Sequence, residues 1–225
     1  MSLIRDLVAR ARLYAFVDTA YLHGRSATEV TRQLCEGGAD LIQLRAKGAS
    51  LQDVRLLSAQ LLPITQSAGI PLVINDHLEI AQALSAPLCH LGIEDFFDSG
   101  YRFISDLPPP ATHGQQPLIG ISTHSPEQAR NAIDAGADYI AIGPVYRTDT
   151  KPSARAVTLD YVRWAVENVS IPWFAIGGIN LDNLDEVLAA GARRICVVSA
   201  ILNHRNLVDA CQQFKSRLPS LSEPS

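Results

Sequence analysis

The sequence predicts an α/β protein built as a (β/α)8 TIM barrel in one compact domain. Three observations lead there. Eight short apolar runs alternate with segments of helical periodicity from end to end. The 225 residues match what eight strand–helix units need at their most compact. The first strand runs into Val17-Asp18-Thr19-Ala20, where an open doubly wound sheet would carry a glycine-rich turn.

The first strand is expected at Tyr14–Val17, with a helix over 26–37 opened by the capping side chain of Ser26 and closed by Gly37-Gly38. Leu41–Leu44 forms the second strand, and its helix runs over 50–68 between Ser50 and Gly69. Leu72–Ile74 leads into a helix over 77–85, and Leu88–Leu91 into one over 97–106. Pro108-Pro109-Pro110 marks the loop before the fifth strand, Leu118–Ile121. Ser125 caps the helix over 125–135, which ends at Gly136. A polar loop joins the sixth strand, Tyr139–Ile142, to a helix over 158–168 capped by Thr158. Trp173–Ile176 and Ile195–Val198 complete the set, with helices over 182–190 (capped by Asn180 or Asp182, ended by Gly191) and 206–216. The domain takes in residues 1–218, and 219–225 reads as a frayed tail.

Hydrophobic residues at 47% and charged residues at 19% supply a packed core and exclude a disordered chain. A formal charge of −4 argues against nucleic acid as a partner. Lysine is confined to Lys47, Lys151 and Lys215, so any anion site must be local. Cys35, Cys89, Cys196 and Cys211 sit in apolar stretches without C-x-x-C spacing, as small core residues of a reducing compartment, the cytoplasm. Met1 to Arg12 has no continuous apolar run, and no stretch approaches the length of a membrane span. Assembly into a homo-oligomer is left open.

In a barrel, polar residues at the C-terminal strand ends are the functional candidates. The second strand sends Gln43, Arg45 and Lys47 to one side; inward cations call for an anionic ligand, or else for ion pairs with strand-end acids. Asn75-Asp76 and Glu94-Asp95 follow the third and fourth strands. Asp76 and Asp95 together form a hard-oxygen pair suited to Mg²⁺, or else each caps the next helix. Glu94 is expected to face solvent and His90 to be a satisfied core residue. After the sixth strand, Thr148, Thr150 and Lys151 make an oxyanion cradle or an ordinary polar loop. Gly177-Gly178 and Ser199 match the barrel phosphate site, or simply tight turns. Two anion regions in one barrel point to small phosphorylated substrates and group transfer with pyrophosphate leaving.

In order along the chain, QLRAK (43–47), ND (75–76), HLGIED (90–95), IGISTH (119–124), DYIAIGPVYRTDTK (138–151), AIGGI (175–179) and VSAI (198–201) resemble the thiamine phosphate synthase (thiamine-phosphate pyrophosphorylase) family. The resemblance implies a transferase that joins 4-amino-2-methyl-5-hydroxymethylpyrimidine diphosphate to hydroxyethylthiazole phosphate with Mg²⁺, releasing pyrophosphate. It implies that Gln43, Arg45, Lys47, Asn75, Ser122 and Lys151 contact the pyrimidine diphosphate, with Arg45, Lys47, Ser122 and Lys151 carrying the catalysis. Asp76 and Asp95 match the magnesium ligands; Thr148, Asp149, Thr150, Gly178, Val198 and Ser199 match the thiazole phosphate contacts. The chain departs from the family pattern at His77, Leu88-Cys89 and Ile93, and in a long proline-rich segment over 97–117. His77 and Ile93 are expected to bear on the pyrimidine end of the pocket. The rivals are a thiazole tautomerase, which has a histidine where this chain has Pro144, and a phosphate-ligand sensor without turnover.

Overall fold

Eight parallel strands close into a barrel in sequence order: β1 (Leu13–Asp18), β2 (Leu41–Arg45), β3 (Leu72–Asn75), β4 (Leu88–Leu91), β5 (Leu118–Thr123), β6 (Tyr139–Ile142), β7 (Trp173–Ile176) and β8 (Ile195–Val197), with β8 pairing back onto β1. The structure, a computed structural model, describes residues 3–111, 115–148 and 156–221. Helices α1 (Leu3–Arg10), α2 (Ala27–Glu36), α3 (Leu51–Ser67), α4 (Leu78–Ala83), α5 (Ile93–Asp98), α6 (Pro126–Asp134), α7 (Thr158–Asn168), α8 (Leu184–Ala189), α9 (Ser199–Leu202) and α10 (Leu207–Arg217) accompany them. Among the described residues no helix is long and apolar enough to cross a membrane.

Strand alternation divides the core into two layers. On β1, Leu13, Ala15 and Val17 join the layer between strands and helices, while Tyr14 and Phe16 point into the lumen. The lumen layer adds Leu41, Val73, Leu88, Tyr139, Phe174 and Cys196, and α1 contributes Val8 beneath it. The closed end is tied by Asp40, whose carboxylate accepts from Arg12 N (2.8 Å) and Leu13 N (2.9 Å) and pairs with Lys215 of α10.

Ser26, Ser50 and Ser125 cap α2, α3 and α6 as expected, each accepting from the backbone N–H three residues on. Thr158, at φ +64°, opens α7 as expected, its Oγ1 accepting from Asp160 N at 3.4 Å. Three expectations need correction. The helix over 97–106 is instead α5, which starts directly after β4, followed by a single 3-10 turn at Ile104–Asp106. Ile93 and Phe96 bury one helical face, and Gly100 at φ +86° ends the segment in the middle of the expected helix. Helices α1 and α9 lie where the sequence periodicity gave no helix. Cys35 is half-buried, whereas the other three cysteines are fully packed.

Gly120 on β5 is the register partner of Tyr139 on β6, and a Cβ there would lie 2.1 Å from Tyr139 Cζ. Tyr139 can cross the lumen only because that Cβ is missing. Gly120→Ala should therefore destabilise the barrel by about 2–3 kcal/mol, and Tyr139→Leu in the same chain should recover part of that loss. Denaturant unfolding of the two variants measures both.

Candidate active site

The C-terminal strand ends surround an open cleft of about 890 Å³, floored by Tyr14, Phe16 and His90. Gln43, Arg45, Asn75, Ser122, Thr148, Gly178, Val198 and Ser199 all line it. Of the remaining expected site residues, Lys47, Asp76 and Asp95 sit beyond the strand ends, outside the cleft wall. Asp149, Thr150 and Lys151 lie outside the described residues.

On one side, both inward cations are held by the chain's own carboxylates. Arg45 Nη1 donates to Asp18 Oδ2 at 2.6 Å, and these residues are register partners on β2 and β1. Asp18 is fully buried and also accepts from Ala20 N (3.0 Å), so its charge is matched and aimed at the guanidinium. Lys47 Nζ pairs with Asp76 Oδ2 at 2.5 Å in an exposed position. Ion pairing with strand-end acids thus holds for both cations in the free protein. Asp18 was not among the expected site residues; its place opposite Arg45 was the available signal.

Asp76 occupies an unusual turn. Its φ is +64°, His77 N donates to Asn75 O (2.9 Å) across it, and its own N–H donates to His90 O (2.9 Å). An i to i+2 hydrogen bond around a residue of positive φ is a strained γ-turn, held here by the β3–β4 pairing. Asp76 does not cap α4, whose N-cap is His77 with no side-chain bond. The carboxylate of Asp95 folds back over Gly92, where a Cβ would meet its Oδ2 at 2.5 Å. Neither carboxylate is spent on a helix N-terminus, since α5 also lacks a side-chain cap. Carboxylates such as these, with Oδ2 of Asp76 on Lys47, suit a magnesium ion that takes its remaining ligands from phosphate and water. Among the described residues no group of three or more His, Cys, Asp or Glu could hold a metal on its own.

The floor is polar and continuous. Gln43 Nε2 donates to Tyr14 Oη (2.5 Å), Tyr14 Oη lies 3.3 Å from Tyr139 Oη, and Tyr139 Oη lies 3.2 Å from His90 Nδ1. His90 Nε2 then reaches Ser122 Oγ at 2.9 Å. Burial pushes His90 down to about 4 against a smaller opposing pull from Asp76, so the ring is neutral near pH 7; burial likewise raises both tyrosines. His90 is satisfied, as expected, but at the cleft floor. Of the departures, Ile93 is buried in the layer between strands and helices, and His77 is 3.7 Å from Glu79. Neither lines the cleft.

On the other side, Val145 N donates to Ile176 O (2.8 Å) and Tyr146 N to Gly177 O (3.0 Å), laying the loop after β6 along the end of β7. Gly177 (φ +103°) and Gly178 (φ +65°) are fixed by conformation and space together: a Cβ would come within 2.3 Å of Pro144 and 2.6 Å of Arg147 O. The tight-turn reading therefore holds, and the same turn brings Thr148, Gly178 and Ser199 to one wall. Ser199 opens α9, whose first N–H groups have no helical partner.

Residues 13–201 match the protein family described as "Thiamine monophosphate synthase". The chain is 41% identical over 190 residues to the thiamine-phosphate synthase of Thermus thermophilus, covering 84% of this chain and 87% of that one. It is 38% identical over 208 residues to that of Halalkalibacterium halodurans, covering 92% and 95% respectively. The solved structure of thiamine phosphate pyrophosphorylase from Pyrococcus furiosus superposes with a TM-score of 0.80 at 32% identity, over 93% of this chain and 96% of that one.

The neutral, buried His90 carries a pH consequence. Its folded pKa of about 4 lies below the ordinary 6.5, so the folded state binds fewer protons between those values. Its contribution is intact above pH 6.5 and is lost as pH falls toward 4, reaching about 3 kcal/mol. Denaturant unfolding at pH 7 and pH 4 should show this loss, and His90→Gln should flatten that part of the dependence.

Proposed function

The chain belongs to the thiamine monophosphate synthase family, and on that footing we propose how its cleft carries out the family's reaction. It is a transferase: the aminopyrimidine methyl group passes from 4-amino-2-methyl-5-hydroxymethylpyrimidine diphosphate to hydroxyethylthiazole phosphate, and pyrophosphate leaves. The observation that supports our reading is that Arg45 on one side, and the Gly178 turn with Ser199 on the other, line one cleft, with Lys47 just beyond the strand end next to Arg45.

In this reading the aminopyrimidine ring lies on the floor between Gln43 and Ser122, with Asn75 beside it and its diphosphate toward Arg45 and Lys47. The diphosphate takes the place of Asp76 on Lys47, while Arg45 keeps the buried Asp18 and turns its remaining N–H donors to the ligand, so no buried charge is left uncompensated. Asp76 and Asp95 would hold magnesium, which supplies charge neutralisation for the leaving pyrophosphate. Arg45, Lys47 and Lys151 spread the rest of that charge. The thiazole phosphate rests on Thr148, Gly178, Val198 and Ser199, with Asp149 and Thr150 from the same loop. An electron-rich aminopyrimidine stabilises a methylene cation, so the C–O bond breaks before the thiazole nitrogen attacks. No side chain need act as nucleophile. The cleft's work is to hold both fragments in line and to exclude water that would quench the cation. An isomerase reading is disfavoured by Pro144, which lines the cleft and has no titratable proton to move. Four unpaired cysteines support a cytoplasmic setting.

The direct test supplies both substrates and Mg²⁺ and follows products by mass. Thiamine phosphate and pyrophosphate should appear in equal amounts, and absence of both would refute the reading. Asp76→Ala and Asp95→Ala should each lower turnover by about 10²-fold or more while thermal midpoints stay near wild type. Turnover at the wild-type level in both would remove the metal role. Ser199→Asp should repel the thiazole phosphate but leave diphosphate binding intact, which calorimetry with each ligand alone will show.

A further inference from the structure

The buried chain from Gln43 to Ser122 does more than fill the floor. It spans five strands and uses Tyr14, Tyr139 and His90, none of which needs to face a phosphate. Both tyrosines are fully buried and His90 nearly so, so each hydroxyl proton must find an acceptor inside the protein.

That requirement fixes a direction. Gln43 Nε2 donates to Tyr14 Oη, so the Tyr14 proton goes to its one further neighbour, Tyr139 Oη. The Tyr139 proton then goes to His90 Nδ1. With Nδ1 accepting, the neutral ring carries its proton on Nε2 and donates to Ser122 Oγ. The Ser122 proton is left to point into the cleft, and Gln43 presents its carbonyl oxygen there. Reversing one group would require reversing all five.

We propose that Tyr14, Tyr139 and His90 are positioning residues that hold Gln43 as an acceptor and Ser122 as a donor, and so select a 4-aminopyrimidine over its 4-oxo counterpart. The amine offers N–H to an acceptor, and the adjacent unprotonated ring nitrogen accepts from a donor. The oxo form offers a carbonyl and a ring N–H, and so reverses the polarity of that edge. Selection of this kind rests on leaving buried groups unpaired with the wrong ligand. The choice of substrate rests on the proposed function; the direction of the chain does not.

Two experiments separate these. In the free protein, nitrogen-15 NMR of the histidine rings should show His90 as the Nε2–H tautomer. Gln43→Glu, at a pH where it is ionised, can only accept from Tyr14 and should invert the chain, moving His90 to the Nδ1–H tautomer. A folded variant with an unchanged tautomer overturns the relay. If that variant does not fold, Tyr139→Phe decides, because it cuts the chain and keeps the ring. Calorimetry should show wild type preferring the amino over the oxo pyrimidine diphosphate by about 10²-fold or more. Tyr139→Phe should bring that ratio to about tenfold or less, with thiazole phosphate affinity unchanged. A ratio that stays at the wild-type value, or equal loss for all ligands, would overturn the proposal. Failure of wild type to bind either pyrimidine would instead count against the functional reading, with the tautomer experiment still deciding the relay.

Discussion

A closed eight-strand barrel must fill its own lumen with side chains, and the way Tyr139 does so decides what the rest of the cleft can be. Its ring crosses toward β5 over Gly120, packs edge-on to Phe174 and Tyr14, and lifts its hydroxyl to the upper surface of that layer. Below it Leu41, Val73 and Leu88 form an apolar plug sealed by α1. Above it the lumen opens into a cleft whose walls are largely apolar, with polar groups such as Gln43, Arg45, Asn75 and Ser122 set into them. A smaller residue at position 139 would leave a void in the plug. A side chain at position 120 would drive the ring out and take the floor of the cleft with it.

Charge follows a parallel rule. The chain is acidic overall, yet its cleft must receive two phosphorylated ligands in the reading developed above. The solution is to keep each cation in an internal pair until a ligand arrives. Arg45 leans on the buried Asp18, which gives it a fixed aim, whereas Lys47 meets Asp76 in an exposed pair of low intrinsic worth. The first arrangement favours orientation and the second favours easy exchange. Asp76 reaches Lys47 from a strained turn pinned by β4, so its position is set by the barrel and not by the loop that follows.

Much of this was legible in the sequence. The eight apolar runs and the serine caps give the strands and three helices within a residue or two, because both signals are local. Gln43, Arg45, Asn75 and Ser199 were found by one rule, that polar side chains at strand ends face the barrel mouth; Ser122 and Val198 came from the family resemblance, and the floor residues Tyr14 and Phe16 were not anticipated. What escaped depends on pairs distant in sequence. Gly120 and Tyr139 look like unremarkable strand residues until the β5–β6 register sets them opposite each other. The partnership of Asp18 with Arg45 likewise appears only once β1 and β2 are aligned. Helix α5 was misplaced because its apolar face, Ile93 and Phe96, begins immediately at the strand end. Gly177 and Gly178 show that a tight turn and a cleft wall are compatible uses of the same residues.

One claim underlies the others: the ring-bearing substrate rests on the floor of Tyr14, Phe16 and His90 that Tyr139 supports from below, with its polar groups read by Gln43 and Ser122. A crystal structure of the protein soaked with Mg²⁺ and the pyrimidine diphosphate tests it most directly. The expected result is the ring within van der Waals contact of Phe16 and His90, hydrogen-bonded to Gln43 and Ser122, with the diphosphate on Arg45 and Lys47. A ring bound outside the lumen, or a diphosphate seated at Gly178 and Ser199 instead, would contradict it.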